Sequence, residues 1–384
     1  MSVGEGTGTD VAAPQHMKKS EKIRWGIVGL GHIAQVAMLP AFAHAENSTL
    51  RAIFSSDPEK LQEIGNRHRV PIRASYDEFD EVCRSGGIDA VYIAVPNHLH
   101  RDFTERAARA GIHVLCEKPM AASASDCEAM IEACRDADVK LMIAYRLHLE
   151  RANLEAMQIT RDGTLGEPRF FTAVFSQDAR PGDVRLDKEK GGGTLWDIGI
   201  YCINAARHLF EDEPVEVFAT VASRKDERFR EVEEMAAVTM RFPGERLASF
   251  VCSFGAVTVM SFRVIGTKGD LRMEPAYPYG EAIAYELNVK GEKKKERFPK
   301  RDQFAAQLIY FSNCILENEE PQPSGTEGLI DVKIIEALYA SAESGRPVSL
   351  DLPHPSKRPS IEQEISRPPV RNPPEPVNTE SPAR

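Results

Sequence analysis

Three side chains in this sequence are of types that hold and move protons: Lys118, Asp197 and Tyr201. Lys118 lies in Val114-Leu115-Cys116-Glu117-Lys118-Pro119-Met120, where the apolar run His113 to Cys116 reads as a buried parallel strand. Proline forbids the α region to the residue before it, so Lys118 is expected to stay extended at the strand's carboxyl end. Open α/β sheets bind their ligands there. Asp197 and Tyr201 follow Gly191-Gly192-Gly193, at the start of a helix running to about Leu209. Four residues apart, they are expected to share one helical face. A tyrosine so placed could exchange a proton with a substrate hydroxyl while the carboxylate orients the substrate. Each residue also has a structural reading. Lys118 could be a surface lysine beside a turn proline. Asp197 could close a capping box with Thr194. Tyr201 could be a core aromatic with a satisfied hydroxyl.

The elements that must position these residues are legible upstream. Ile23 to Val28 is a short apolar strand that runs into Gly29-Leu30-Gly31-His32-Ile33-Ala34 and a helical pattern to about His44. In this strand–turn–helix setting the first glycine permits the turn and the second lets backbone approach a pyrophosphate. The small Ala34 packs helix on strand. A dinucleotide is expected at Gly29, Gly31, His32 and Ile33. The second strand, Thr49 to Phe54, ends in Ser55-Ser56-Asp57-Pro58-Glu59-Lys60. An NAD site usually places a carboxylate at this tip. Here Ser55 and Ser56 can donate to a 2′-phosphate, with Lys60 nearby, which favours NADP. Asp57 is read as the N-cap of the next helix, with Pro58 at its first position. Strands at 89–95 and 140–144, alternating with helices, complete a doubly wound parallel sheet.

After about residue 150 the texture changes to successive strand-like runs at 170–175, 215–221, 236–242, 248–254, 261–265 and 282–289, with late helices at 303–318 and 327–344. This predicts a second α/β domain with a large, mostly antiparallel open sheet. One face of such a sheet needs cover, so a homo-oligomer through it is expected. The expected division is a disordered extension (1–20), a Rossmann domain (21–148), a substrate and oligomerisation domain (149–352) and a Pro-rich C-terminal arm (353–384). A net charge of −10 over 384 residues argues against nucleic acid or an anionic membrane as partner. Seven cysteines without a CxxC suit reduced thiols in a cytoplasm. No metal site, membrane span or signal peptide is expected.

The motifs GLGHIA, AVPNHLH, CEKPM and GGGTLWDIGIY occur in the order found in the Gfo/Idh/MocA-type oxidoreductases, and the match covers roughly residues 23–350. Within that family, DERFREVEE, QFAAQL and SGRPV resemble the glucose–fructose oxidoreductase type. The resemblance implies hydride transfer between NADP and the anomeric carbon of an aldose, a small-molecule sugar being the substrate. It also implies that a second sugar could be reduced if NADPH is retained. A simple aldose 1-dehydrogenase or sugar reductase that releases its cofactor is the alternative, and a non-catalytic sugar sensor a more distant one. Carried over, Lys118, Asp197 and Tyr201 become catalytic and substrate-binding. Pro96, Asn97, His100 and Glu117 join the cofactor contacts. Arg146 and Arg185 are expected to hold cofactor or sugar, and His208 is left as structural. Enzymes of the glucose–fructose type are exported with a twin-arginine signal that residues 1–20 do not show.

Overall fold

The computed structural model describes residues 22–355 and 357–383. The expected disorder of residues 1–20 lies outside them. Six parallel strands form the first sheet: β1 (Ile23–Val28), β2 (Ser48–Phe54), β3 (Ile72–Ala74), β4 (Ala90–Ile93), β5 (His113–Cys116) and β6 (Leu141–Ile143), in the order β3-β2-β1-β4-β5-β6. The inner strand β4 (Ala-Val-Tyr-Ile) is apolar and buried end to end, as expected where helices cover both faces of a parallel sheet. The order reverses between β1 and β4, the switch point where such sheets open a ligand crevice.

The second sheet has nine strands: β7 (Pro168–Asp178), β8 (Glu216–Ala222), β9 (Met235–Phe242), β10 (Arg246–Ser253), β11 (Gly255–Gly266), β12 (Gly269–Met273), β13 (Ile283–Val289), β14 (Glu292–Phe298) and β15 (Val348–Ser349). Their order is β14-β13-β12-β11-β7-β10-β9-β8-β15. Neighbours are antiparallel except β7 and β10. One face carries buried Phe171, Ala173 and Phe250; the other exposes Phe170, Val174, Phe218, Leu247 and Val251. Leu247 sits opposite Phe170, and Val251 opposite Val174, so these side chains form one apolar patch. β14 reads Glu-Lys-Lys-Lys-Glu-Arg-Phe and carries no hydrophobic signal. It is an edge strand whose lysines face water, a common protection against edge pairing.

Two expectations about chain organisation need correction. The helix Gln303–Glu317, assigned by sequence to the second domain, packs on the first sheet. Its Phe311 ring lies 5.9 Å from Trp25, and Ser312 Oγ accepts from Trp25 Nε1 at 3.2 Å. A helix at Arg151–Arg161, absent from the sequence reading, is capped by Glu150 through the backbone N–H groups of Ala152 and Asn153. The C-terminal arm is irregular, as expected. It is nevertheless docked: Arg367 pairs with Glu46, and Arg358 with Glu213 at 2.8 Å. Among the described residues no helix is long and apolar enough to cross a membrane.

Candidate active site

Lys118 lies two residues past the carboxyl end of β5, with its ammonium in the cleft between the two sheets. The Lys118–Pro119 peptide is cis. Lys118 Nζ donates to the Asp197 backbone oxygen at 2.8 Å and to Asp197 Oδ1 at 3.2 Å, and it lies 4.7 Å from the centre of the Tyr201 ring. The other carboxylate oxygen, Oδ2, accepts from Arg185 Nε at 2.8 Å and Gln177 Nε2 at 3.4 Å. Burial opposes the Lys118 charge, but the pull of Tyr201, Asp197 and Glu117 outweighs it and holds its pKa above the ordinary lysine value. Burial likewise opposes the Asp197 charge, and Arg185 and Lys118 overcome it, so the carboxyl titrates below the ordinary aspartate value. The site therefore presents a fixed ammonium and a fixed carboxylate side by side.

Tyr201 receives a second cation. Arg146 Nη2 donates to the Tyr201 hydroxyl at 3.3 Å and to the Tyr277 carbonyl at 2.6 Å, while Nη1 donates to Gln303 Oε1 at 2.5 Å. The guanidinium lies 5.3 Å from the Tyr201 ring centre. Phe175 and Tyr277 complete the aromatic walls, at 5.4 and 5.6 Å. A cleft of about 430 Å³ opens here, lined by Lys118, Arg146, His148, Asn153, Tyr201 and Tyr277 among others.

The local backbone differs from the expected α-helix. Leu195–Gly199 is a π turn that passes into the α-helix Ile200–Phe210, so the four-residue spacing does not stack Asp197 on Tyr201 as in a regular α-helix. Lys118 brings them together instead. π turns of this kind are frequent at functional sites. The capping box that was the structural alternative for Asp197 does not form. Thr194 donates its N–H and its hydroxyl to Glu233 Oε1, each at 2.6 Å, and Tyr339 donates to the same oxygen at 2.8 Å. That leaves Asp197 free for Lys118 and Arg185.

The cofactor side follows the glycine loop. Gly29 has φ +95°, and a Cβ there would sit 2.5 Å from the Ala94 carbonyl. At Gly31 a Cβ would meet nothing within 4 Å, so the backbone is open to an approaching ligand. His32 Nδ1 is buried without a hydrogen-bond partner, and burial followed by the charge of Arg185 lowers its pKa. Ser55 Oγ accepts from the Asp57 N–H at 3.1 Å, which leaves the hydroxyl proton to donate. Asp57 caps the helix Pro58–Arg67 through the N–H groups of Glu59 and Lys60. Its second oxygen accepts from Asn378 Nδ2 at 3.1 Å. Asp57 is thus occupied by capping and by the arm. These residues fit a dinucleotide: a glycine cradle, an unpartnered imidazole nitrogen and hydroxyls at the tip of β2.

A profile described as "Oxidoreductase family, NAD-binding Rossmann fold" (GFO_IDH_MocA) matches residues 23–145, and the GFO/IDH/MocA C-terminal domain matches residues 153–272. The chain belongs to the Gfo/Idh/MocA oxidoreductase family. A D-xylose 1-dehydrogenase [NADP(+)] of Haloarcula marismortui is 35% identical, covering 86% of this chain and 93% of its own. A D-xylose 1-dehydrogenase (NADP(+)) 2 of Haloferax volcanii is 30% identical, covering 85% of this chain and 99% of its own. The solved aldose-aldose oxidoreductase of Caulobacter crescentus, complexed with glycerol, superposes with a TM-score of 0.82 at 42% identity over 86% of this chain and 100% of that one.

Within this Gfo/Idh/MocA frame, Lys118, Arg185, Asp197 and Tyr201 converge, as does Arg146. Arg146 meets Tyr201 through its hydroxyl and its ring face. Asn97 donates to the Gly191 carbonyl at 2.8 Å and ties the cofactor loop to the triple glycine. His100 does not reach the cleft. It is fully buried, with Nε2 2.9 Å from the Val95 carbonyl and Nδ1 3.1 Å from that of Pro119, so it props the loop behind Lys118. Glu117 accepts from Tyr92 at 2.6 Å and from the Lys118 N–H at 3.1 Å; burial first, opposed by Lys118, raises its pKa. Gln177, Glu233 and Tyr277 were missed by sequence reading, because no periodicity marks a residue that acts across the fold. His208 is buried beside Arg207, as its structural assignment implies.

Proposed function

We propose that the chain is an NADP-dependent aldose oxidoreductase acting at the anomeric carbon. The observation that carries this reading is the Lys118 ammonium held between the Asp197 carboxylate and the Tyr201 ring at the carboxyl end of β5. NADP⁺, when bound, supplies the hydride acceptor. Gly29, Gly31 and His32 would hold its pyrophosphate, and Ser55, Ser56 and Lys60 its 2′-phosphate. Pro96 and Asn97 lie on the loop beside that site. The two xylose dehydrogenases, NADP enzymes by name, support the same choice.

Tyr201 takes the proton of the C1 hydroxyl as the sugar becomes a lactone. Lys118 and Arg146 flank the ring and stabilise the negative charge that this proton transfer develops. Asp197, fixed by Lys118, Arg185 and Gln177, accepts a neighbouring sugar hydroxyl and sets the face presented for reaction. Run backwards, Tyr201 returns the proton to a carbonyl oxygen, so a second aldose could be reduced by cofactor still in place. The similarity to an aldose-aldose oxidoreductase favours this coupled reading, while the xylose dehydrogenases favour release of cofactor. Mass spectrometry of cofactor released from purified protein, followed by a panel of aldoses with and without added NADP⁺, decides both points. NAD in place of NADP, or no turnover of any aldose, would overturn the proposal.

The apolar patch of Phe170, Val174, Phe218, Leu247 and Val251 supports a homo-oligomer through the second sheet. All seven thiols are free and buried, which suits a cytoplasmic enzyme.

A further inference from the structure

The C-terminal arm lies against the elements assigned above to the dinucleotide. Arg67, at the end of the helix that Asp57 caps, donates to the Glu375 carbonyl at 2.9 Å. Val377 is buried. Its N–H donates to Gln35 Oε1 at 2.7 Å, and its carbonyl accepts from Gln35 Nε2 at 2.9 Å. The same Gln35 amide donates to the carbonyl of Leu30, between the two glycines of the loop, at 2.9 Å. Asn378 Nδ2 then reaches Asp57 Oδ2 at 3.1 Å and Glu59 Oε2 at 2.8 Å, beside the expected 2′-phosphate contacts.

From there the arm crosses to the second domain. Glu380 pairs with Arg180 at 2.5 Å, Pro382 accepts from the Arg180 N–H at 3.1 Å, and Ala383 bridges to Ala179 beyond the end of β7. Residues 375–383 are thus tied to the tips of β1 and β2 at one end and to the substrate domain at the other.

We propose that residues 375–383 form an outer wall of the dinucleotide site and set the rate at which NADP(H) leaves. The inference rests on the NADP reading above. A dinucleotide seated on the glycine loop, with its 2′-phosphate at Ser55 and Lys60, must pass this segment to dissociate. Detaching the arm breaks the Gln35, Asp57, Glu59 and Arg180 contacts; it forms no bond to the sugar. The arm therefore acts on residence time, and a long residence time lets one aldose reduce the next without free cofactor.

The test compares NADPH release from three proteins: the full chain, a chain ending at Pro374, and full-length Asn378→Ala. Release is followed by nicotinamide fluorescence after mixing with excess NADP⁺. Loss of the whole set of contacts should speed release about tenfold or more, and Asn378→Ala severalfold. Sugar-to-sugar transfer without added cofactor should fall in the same order. Asn378 is exposed, so its variant keeps the test decisive if the shortened chain does not fold. Equal release rates in proteins that bind NADPH would sink the wall and leave the NADP reading standing. Tighter binding by the shortened chain would do the same and make the arm an obstruction. Failure of the full chain to bind NADPH would overturn both.

Discussion

The Lys118 ammonium holds Asp197 at two points, the backbone oxygen at 2.8 Å and the carboxylate at 3.2 Å. One lysine from the first sheet thereby fixes both the main chain and the side chain of the π turn in the second domain.

Lys118→Ala should lower kcat by about a hundredfold to ten-thousandfold, the range for loss of a positioned acid–base partner. Far-ultraviolet circular dichroism should stay unchanged, because Lys118 lines a cleft and fills no core. Steady-state kinetics showing near-normal kcat would remove it from the reaction.

Tyr201→Phe separates catalysis from packing. The ring contacts with Phe175 and Tyr277 survive, while the hydroxyl that accepts from Arg146 is lost. Stability should change by at most about 1 kcal/mol, the usual worth of one hydrogen bond. Over the same change kcat should fall by about a hundredfold or more. A lowered Tm with unchanged kcat would mark Tyr201 as structural.

Ser55→Asp should reverse cofactor preference from NADP(H) to NAD(H). A carboxylate at this position keeps an acceptor near the Asp57 N–H but repels a 2′-phosphate. The ratio of kcat/KM values for the two cofactors measures it; a ratio unmoved by the substitution would place the 2′-phosphate elsewhere.

The pH dependence of stability has a defined sign. Lys118 is held above its ordinary 10.5, so its contribution is present below that value and is lost as pH rises through the folded pKa. Asp197 is held below its ordinary 3.8, so its contribution is present above that value and is lost as pH falls through the folded pKa. The Tm difference between the unaltered protein and Lys118→Met should be flat from about pH 7 to 9, above the acid range in which Glu117, raised further once Lys118 is gone, takes up its proton. A slope inside that window would show that the pair is not the charged one described.

Arg207 should be the most sensitive charged position in the second domain. It is wholly buried among Glu213, Glu327 at 2.8 Å and Asp331 at 2.6 Å. Arg207→Met leaves Glu327 and Asp331 without their cation, while Glu213 keeps Arg358, and should cost about 3–5 kcal/mol, as for other broken buried pairs. Chemical denaturation gives the number directly; a loss below about 1 kcal/mol, the level of exposed pairs, would contradict this account.

What was legible in the sequence was local. Gly29, Gly31, Ser55 and the Asp57–Pro58 cap act within a few residues of where they are written, so motif and capping rules find them. Lys118 was legible because an apolar strand and a proline fix its place. The Asp197–Tyr201 pair was read on α-helical geometry, where a π turn and a lysine from another domain do the positioning. Glu233, Gln177 and the helix at Gln303–Glu317 act across long sequence separations, and nothing near them reports their partners. The arm was read from its composition as an irregular, Pro-rich segment, with no docking site assigned to it. Its buried valine and its asparagine are single contacts that composition averages away.

The packing of Phe311 and Ser312 on Trp25 has a consequence for biosynthesis. Strand β1 is among the first parts of the described chain to leave the ribosome, yet one face of it waits for a helix that ends at Glu317. At about 5–20 residues per second, the nascent nucleotide-binding half spends roughly fifteen to sixty seconds with that apolar face uncovered. A fragment ending near residue 148 would keep the face exposed for good, so the half that carries the glycine loop is not an independently expressible module.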